Sequence, residues 1–289
     1  MSLNQVNSAV GHPGWVGLSR VVLLLAVLAG GCTSAPSPPP VVSSSSSPAP
    51  PYSPPPAGPS WIPGADPLPL RPDGYGEVLP TPPALVNRSL PTVDHLPPPT
   101  GDRYEATVDP VPETVLRRST WRAACPVGVD DLRYLTMSFW GFDGRAHTGE
   151  MIVARTAATD VTRVFKALYD ERFPLEEMRV VQASELAAAP TGDGNNTTAF
   201  VCRPAVLLGR WSAHARGLAV DVNPFHNPYV RDDLVLPELA SSYVDRANVR
   251  PGMILPGATA VRAFAAIGWR WGGEWSTPLD LQHFSATGD

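Results

Sequence analysis

Apolar residues change their spacing several times along the chain. Residues 21–29 (VVLLLAVLA) form an unbroken apolar run after Arg20, too short to span a bilayer comfortably and the size of a signal-peptide core. From there to about residue 113 no hydrophobic periodicity is sustained. Short β-rich runs then take over. Residues 132–139 (LRYLTMSF) and 150–154 (EMIVA) read as strands, and the turn Gly141-Phe142-Asp143-Gly144 between them predicts a hairpin. The spacing next becomes helical: Asp160 can cap a helix whose apolar positions are Val161, Val164, Phe165 and Leu168. Residues 179–181 read as a following strand, and 261–267 as a second helix ended by Gly268. No repeat is present. The pattern predicts an α+β domain, a small antiparallel sheet with flanking helices.

Composition accounts for the stretch without periodicity. The chain has 289 residues and 35 prolines, most of them before position 112, with a serine run at 43–47 and a triple proline at 97–99. Such a segment buries little and favours extended conformations, so residues 33–113 are expected to be a disordered spacer rather than an SH3-type ligand. The expected division is a signal segment at 1–32, the spacer at 33–113 and a folded domain at 114–289. Formal net charge is −5 and no Lys/Arg cluster alternates with aromatics, which argues against nucleic acid as a partner. Gly30-Gly31-Cys32 closes the apolar run and resembles a bacterial lipobox, although Ala29 stands where the usual pattern has Leu. The resemblance implies export with lipidation at Cys32, the alternative being a cleaved secretory signal. Cys125 and Cys202 then remain, and in an exported protein two remaining cysteines usually pair. Cys202 as a thiolate ligand is the other reading.

Two segments carry candidate chemistry. In residues 212–223 (SAHARGLAVDVN), His214 and Asp221 offer an imidazole and a carboxylate seven positions apart, donors that suit Zn²⁺. If residues 218–222 run as a strand, Asp221 is a carboxylate flanked by Val220 and Val222, and needs a cation or strong hydrogen bonds. A capped turn followed by a strand-end aspartate gives the same letters. Near the C-terminus, Asp280 and His283 are three apart, so one helical turn or a bent loop brings both to one site. Trp269, Trp271, Trp275 and Phe284 around Gly272-Gly273 mark that segment as packed rather than frayed. Three further residues are set aside: Glu274 lies nine positions before His283, His226 sits in a Pro/Asn-rich turn expected to be exposed, and His147 lies on the hairpin as a packed or surface side chain.

The pattern Ser-x-His-x-x-Gly-x-Ala-x-Asp at 212–221, followed by an acidic residue three before a His, resembles the M15 zinc peptidases. The likeness extends through Asn196-Thr197-Thr198-Ala199-Phe200, Arg203, Asp221-Val222-Asn223-Pro224, Asn227-Pro228-Tyr229, Gly268-Trp269 and Trp271-Gly272-Gly273. Together these are most similar to the L-alanyl-D-glutamate endopeptidase branch. The resemblance implies a zinc site at the sheet, with His214, Asp221 and His283 as ligands. It implies Asp280 as the general base, where other branches carry Glu. Arg203 falls where the family binds substrate and stabilises the oxyanion, and Ser212 is a substrate contact or an ordinary turn serine. The expected activity is hydrolysis of an amide in peptidoglycan stem peptides, of the L-Ala-D-Glu endopeptidase or D-Ala-D-Ala carboxypeptidase type. The alternative is a catalytically inactive peptidoglycan-binding module of the same fold. The expected setting is a monomer held at the outer face of the cytoplasmic membrane by an N-terminal lipid, or secreted into the cell-wall space.

Overall fold

The computed structural model describes residues 61–205 and 210–288. The apolar run, Cys32 and the expected spacer up to residue 60 lie outside the described residues. In chain order the elements are β1 (Ala106–Asp109), α1 (Glu113–Arg118), β2 (Leu132–Trp140), β3 (Ala146–Ala154), α2 (Ala158–Asp170), β4 (Glu177–Met178) and β5 (Asn196–Thr197). They continue with β6 (Ala219–Asp221), β7 (Tyr229–Arg231), β8 (Leu234–Leu236), α3 (Thr259–Ala266), β9 (Arg270–Trp271), β10 (Leu279–Asp280) and β11 (His283–Ser285). The class is α+β, but the pairing forms several small sheets instead of one. Three are three-stranded and antiparallel, in the orders β1-β2-β3, β10-β7-β8 and β6-β11-β9, while β4 and β5 pair in parallel.

The β2–β3 hairpin is the spine. Its register runs from Leu132↔Ala154 to Trp140↔Ala146, and the turn closes where Gly141 N donates to Arg145 O at 2.8 Å. Because side chains alternate across a strand, Leu135, Met137, Phe139, Met151 and Val153 fall on one face. There they meet Val161, Val164, Phe165 and Leu168 of α2, together with Val220, Phe264, Trp271 and Phe284. Leu132, Tyr134 and Ile152 fall on the other face, against Val115, Val180, Phe200 and Cys202. Burial on both faces explains why these strands show no clean apolar–polar alternation. Each fully buried aliphatic or Phe side chain in such a core contributes about 1.5–3 kcal/mol.

Two boundaries differ from expectation. Helix α2 begins at Ala158, so Asp160 lies inside the first turn, where it favours the helix dipole without capping it. The strand expected at 179–181 lies instead at β4, two residues earlier.

The larger difference is in the expected spacer. Residues 61–113 do not behave as one: they wrap the domain as an ordered strap that ends in β1 and the start of α1. Leu85 is fully buried with Phe225, Leu239, Tyr243 and Met253, and Trp61, Leu68 and Leu90 pack on the same cluster. Arg88 is 3% exposed. Its guanidinium donates to Glu176 Oε1 and Oε2 at 2.6 and 2.7 Å and to Asp193 O at 2.7 Å, and lies 4.4 Å over the Phe225 ring. Proline removes backbone donors, so such a segment can lie extended on a surface with few unsatisfied groups. A handful of anchors then suffices to order it, and average composition does not see them.

Cys125 and Cys202 form a disulfide with Cα atoms 5.9 Å apart, closing a separation of 77 residues. Loop-closure entropy assigns a bridge of that span about 4 kcal/mol. It ties the chain after α1 to the residue that precedes Arg203.

Arg88→Ala removes the only cation paired with buried Glu176 among the described residues. The expected loss is about 3–5 kcal/mol in urea unfolding, because an unpaired charge is left in the interior. A loss below about 1 kcal/mol would show that the strap is held by its apolar anchors alone.

Candidate metal centre

Strand pairing carries the site. In the β6–β11 ladder His283 stands opposite Asp221, with Phe284↔Val220 and Ser285↔Ala219 following. Val220 and Phe284 point into the core at 0% exposure, which fixes the register and turns Asp221 and His283 to the same, opposite face. Asp221 is further held by Thr198, through Asp221 N to Thr198 O at 2.8 Å and Thr198 N to Asp221 O at 3.0 Å.

His214 arrives from a 3₁₀ turn, Ala213–Arg216. Ser212 caps it, its Oγ accepting from His214 N at 3.0 Å. Gly217 ends it with φ 67°, and a Cβ there would lie 2.4 Å from Ala154 N, so only glycine lets the turn sit against β3. Position 217 is thus set by backbone approach to the spine.

The three side chains meet at one point. His214 Nε2 is 3.2 Å from His283 Nδ1 and 3.2 Å from Asp221 Oδ1, and His283 Nδ1 is 3.0 Å from Asp221 Oδ1. His214 Nδ1 lies 2.6 Å from Ala199 O. That contact assigns the proton to Nδ1 and leaves the Nε2 lone pair facing the cluster, the usual arrangement of a ligand histidine. Burial alone would raise the Asp221 carboxyl, but the adjacent His214 and His283 outweigh it and hold the group well below the usual carboxylate range.

These donors fit zinc. Three vertices of a tetrahedron with metal–ligand distances of about 2.0–2.1 Å lie about 3.3–3.4 Å apart, close to the separations found. Two imidazole nitrogens and a carboxylate oxygen converge where one proton can serve only one pair at a time, so a cation satisfies all three better than a proton does.

Asp280 approaches from β10, paired to Tyr229 of β7. The chain bends between β10 and β11, with Leu281 N donating to Pro228 O and Trp271 Nε1 to Leu281 O at 2.8 Å. Asp280 and His283 therefore reach one cleft from a bent loop and not from a helical turn. Gly272 makes room for it, since a Cβ there would lie 2.6 Å from Asp280 O. Oδ1 of Asp280 is buried without a hydrogen-bond partner. Burial pushes its carboxyl up to about 7, with Asp221 adding to the rise and His283 and Arg203 opposing it. A divalent cation at the cluster would draw it back down, by ordinary charge attraction.

The cleft is lined by His214, Asp221, Asp280 and His283, with Arg203, Ser212, Tyr229, Trp211 and Trp275 around them. Trp275 stands beside His283, ring centroids 5.5 Å apart. Arg203 is half-buried at the cleft edge. Ser212 lines the cleft too, but its hydroxyl is engaged as the helix cap. Glu274 is exposed and does not line the cleft. His226, expected to be exposed, is fully buried: it stacks on Phe142 at 4.7 Å, and burial lowers it to about 3. His147 is buried between Asp94 and Asp143, at 2.8 and 3.1 Å.

Sequence reasoning named Ala199 within the resemblance but gave it no role, since it acts through its carbonyl and has no side-chain signature. It also missed the work of Asn223 and Asn227. Both are fully buried and bond the backbone at Pro174, Val222, Gly252 and Ile254, fixing the chain that leaves Asp221.

Residues 208–286 match a family model described as D-alanyl-D-alanine carboxypeptidase. The match supports a peptidase of the M15 family, and it spans His214, Asp221, Asp280 and His283 while leaving out Arg203 and the strap. No curated protein and no solved structure matches the chain.

The purified protein should hold about one zinc by mass spectrometry of metals, and His214→Ala or His283→Ala should lose most of it, because a three-ligand site rarely survives loss of one donor. Full occupancy in both variants would mean that the metal binds elsewhere.

Proposed function

We propose that this chain is a zinc peptidase that hydrolyses an amide bond in peptidoglycan stem peptides, of the L-Ala-D-Glu endopeptidase or D-Ala-D-Ala carboxypeptidase type. The observation that carries the reading is the convergence of His214 Nε2, Asp221 Oδ1 and His283 Nδ1 within 3.2 Å of one another, beside the Asp280 carboxylate, whose Oδ1 is buried without a donor. Zinc held by these three would supply a Lewis acid, able to make water nucleophilic near neutral pH and to polarise the substrate carbonyl.

The protein's own groups do the rest. Asp280 takes the proton of the attacking water and later gives it to the leaving amine. Burial raises its carboxyl and a cation at the cluster would oppose that rise, so the group is an ionised acceptor toward the attacking water and, once protonated, a donor to the leaving amine. Arg203, at the edge of the same cleft, offers a fixed positive charge to the oxyanion as it develops. Ala199 O and the β6–β11 register keep the donors in place, so little reorganisation accompanies the reaction. Trp211 and Trp275 wall the cleft and limit water around the reacting bond.

The reading includes export, with Cys32 as the lipid-bearing residue and the cell-wall space as the working compartment. It rests on the apolar run before Cys32, and the Cys125–Cys202 bridge fits an oxidising compartment.

Asp280→Asn should keep the zinc and lose hydrolysis of muropeptides by about 10²–10⁴-fold, because the base is not a ligand. Product analysis by mass spectrometry, run beside Glu274→Gln, checks the assignment. A near wild-type Asp280→Asn with an inactive Glu274→Gln would move the base to Glu274. Muropeptides left intact by the zinc-loaded wild type would favour the binding-module reading.

A further inference from the structure

The cleft does not end at the metal cluster. Arg203, Asp221, Leu236 and Gln282 line both the cleft and an adjoining groove, whose far wall is made by Gly64 and Pro67 of the strap, Gly192 and Glu238. That wall is a built structure. Leu68 N donates to Pro190 O at 2.8 Å, Leu239 N to Gly192 O at 2.9 Å, and Gly76 N to Glu238 Oε1 at 2.8 Å. Three separate stretches of chain are thereby tied together around Glu238.

Four acidic residues are buried among the described residues: Glu150, Glu176, Asp193 and Glu238. Glu150 has the guanidinium of Arg118 and the hydroxyl of Tyr134, and Glu176 has Arg88 and the amide of Asn195. Asp193 accepts from Trp61 Nε1, Gly64 N and Thr191 Oγ1. Glu238 is 4% exposed, yet it has one donor, the strap's Gly76 N, and no cation within 4.0 Å among the described residues. Its Oε2, without a donor, is not sealed from solvent, and the space that the residue lines is the groove. A carboxylate with most of its surface covered and one neutral donor keeps one oxygen facing the groove, where an ammonium entering along it would make a charge-assisted hydrogen bond.

We propose that Glu238 is a specificity residue that binds an ammonium group of the peptide substrate, in a subsite completed by the strap. The inference rests on the peptide-binding reading of the cleft and names the chemistry the groove selects. Ammonium can come from the α-amine of a peptide or from the side chain of a diamino acid in a stem peptide. Both make the same charge-assisted hydrogen bond.

The test is binding, so it does not depend on turnover. The full chain carrying Asp280→Asn, and the same protein with Glu238→Gln added, are titrated by calorimetry with stem peptides. One peptide has both amines free, one is acetylated on the α-amine, and one on the side-chain amine. Gln keeps an acceptor for Gly76 N and removes only the charge, and an unchanged melting temperature would check that the wall is intact. Acetylation of one amine should weaken binding about tenfold when Glu238 is present, as loss of a charge-assisted hydrogen bond implies. It should weaken binding less than about twofold after Glu238→Gln. Which acetylation matters identifies the source of the ammonium. Equal affinity for all three peptides, or the same loss in both proteins, would overturn the assignment. Discrimination among the peptides with no hydrolysis by the zinc-loaded wild type would uphold the subsite while defeating the peptidase reading.

Discussion

Everything at the cleft depends on the pairing of two short strands. β6 and β11 contribute three residues each, and the inward Val220 and Phe284 leave no freedom in their register. A slip by one residue would send Asp221 and His283 to the core face and Val220 and Phe284 to the cleft. The same apolar contacts that stabilise the domain therefore place two of the three donors opposite each other. His214 is added by a turn that only glycine can close against β3.

The cost of this arrangement is local. Three electron-rich atoms within 3.2 Å, next to a carboxylate whose Oδ1 has no donor, are unfavourable by themselves and are stabilised by a cation. The surroundings are correspondingly stiff. The Cys125–Cys202 bridge ends one residue before Arg203, the Asn223 and Asn227 side chains fasten the chain after Asp221, and the strap clamps the loops that follow β8. Rigid supports keep repelling groups together when packing alone would let them part.

Much of the site was legible because its residues are chemically distinctive and the intervals between them fixed. The His214–Asp221 interval and the Asp280–His283 interval are separate signals, and the structure brings all four into one cleft. The spine hairpin and both larger helices were legible from periodicity, with ends off by a few residues because caps such as Ala157 carry no side-chain signal. The strap was not legible. Its order rests on Trp61, Leu68, Leu85 and Arg88, scattered through a proline-rich stretch whose average composition reads as a spacer. His226 was misread for a related reason, since Asn-Pro turns are common on surfaces and this one is roofed by Phe142 and Tyr243.

The central claim is that two histidines and an aspartate form one zinc centre. Zinc K-edge X-ray absorption on the metal-loaded full-length protein tests it most directly. The account predicts a first shell of nitrogen and oxygen at about 2.0–2.2 Å, with the outer-shell scattering of two imidazoles. A sulfur contribution at about 2.3 Å, or a shell without imidazole scattering, would contradict it.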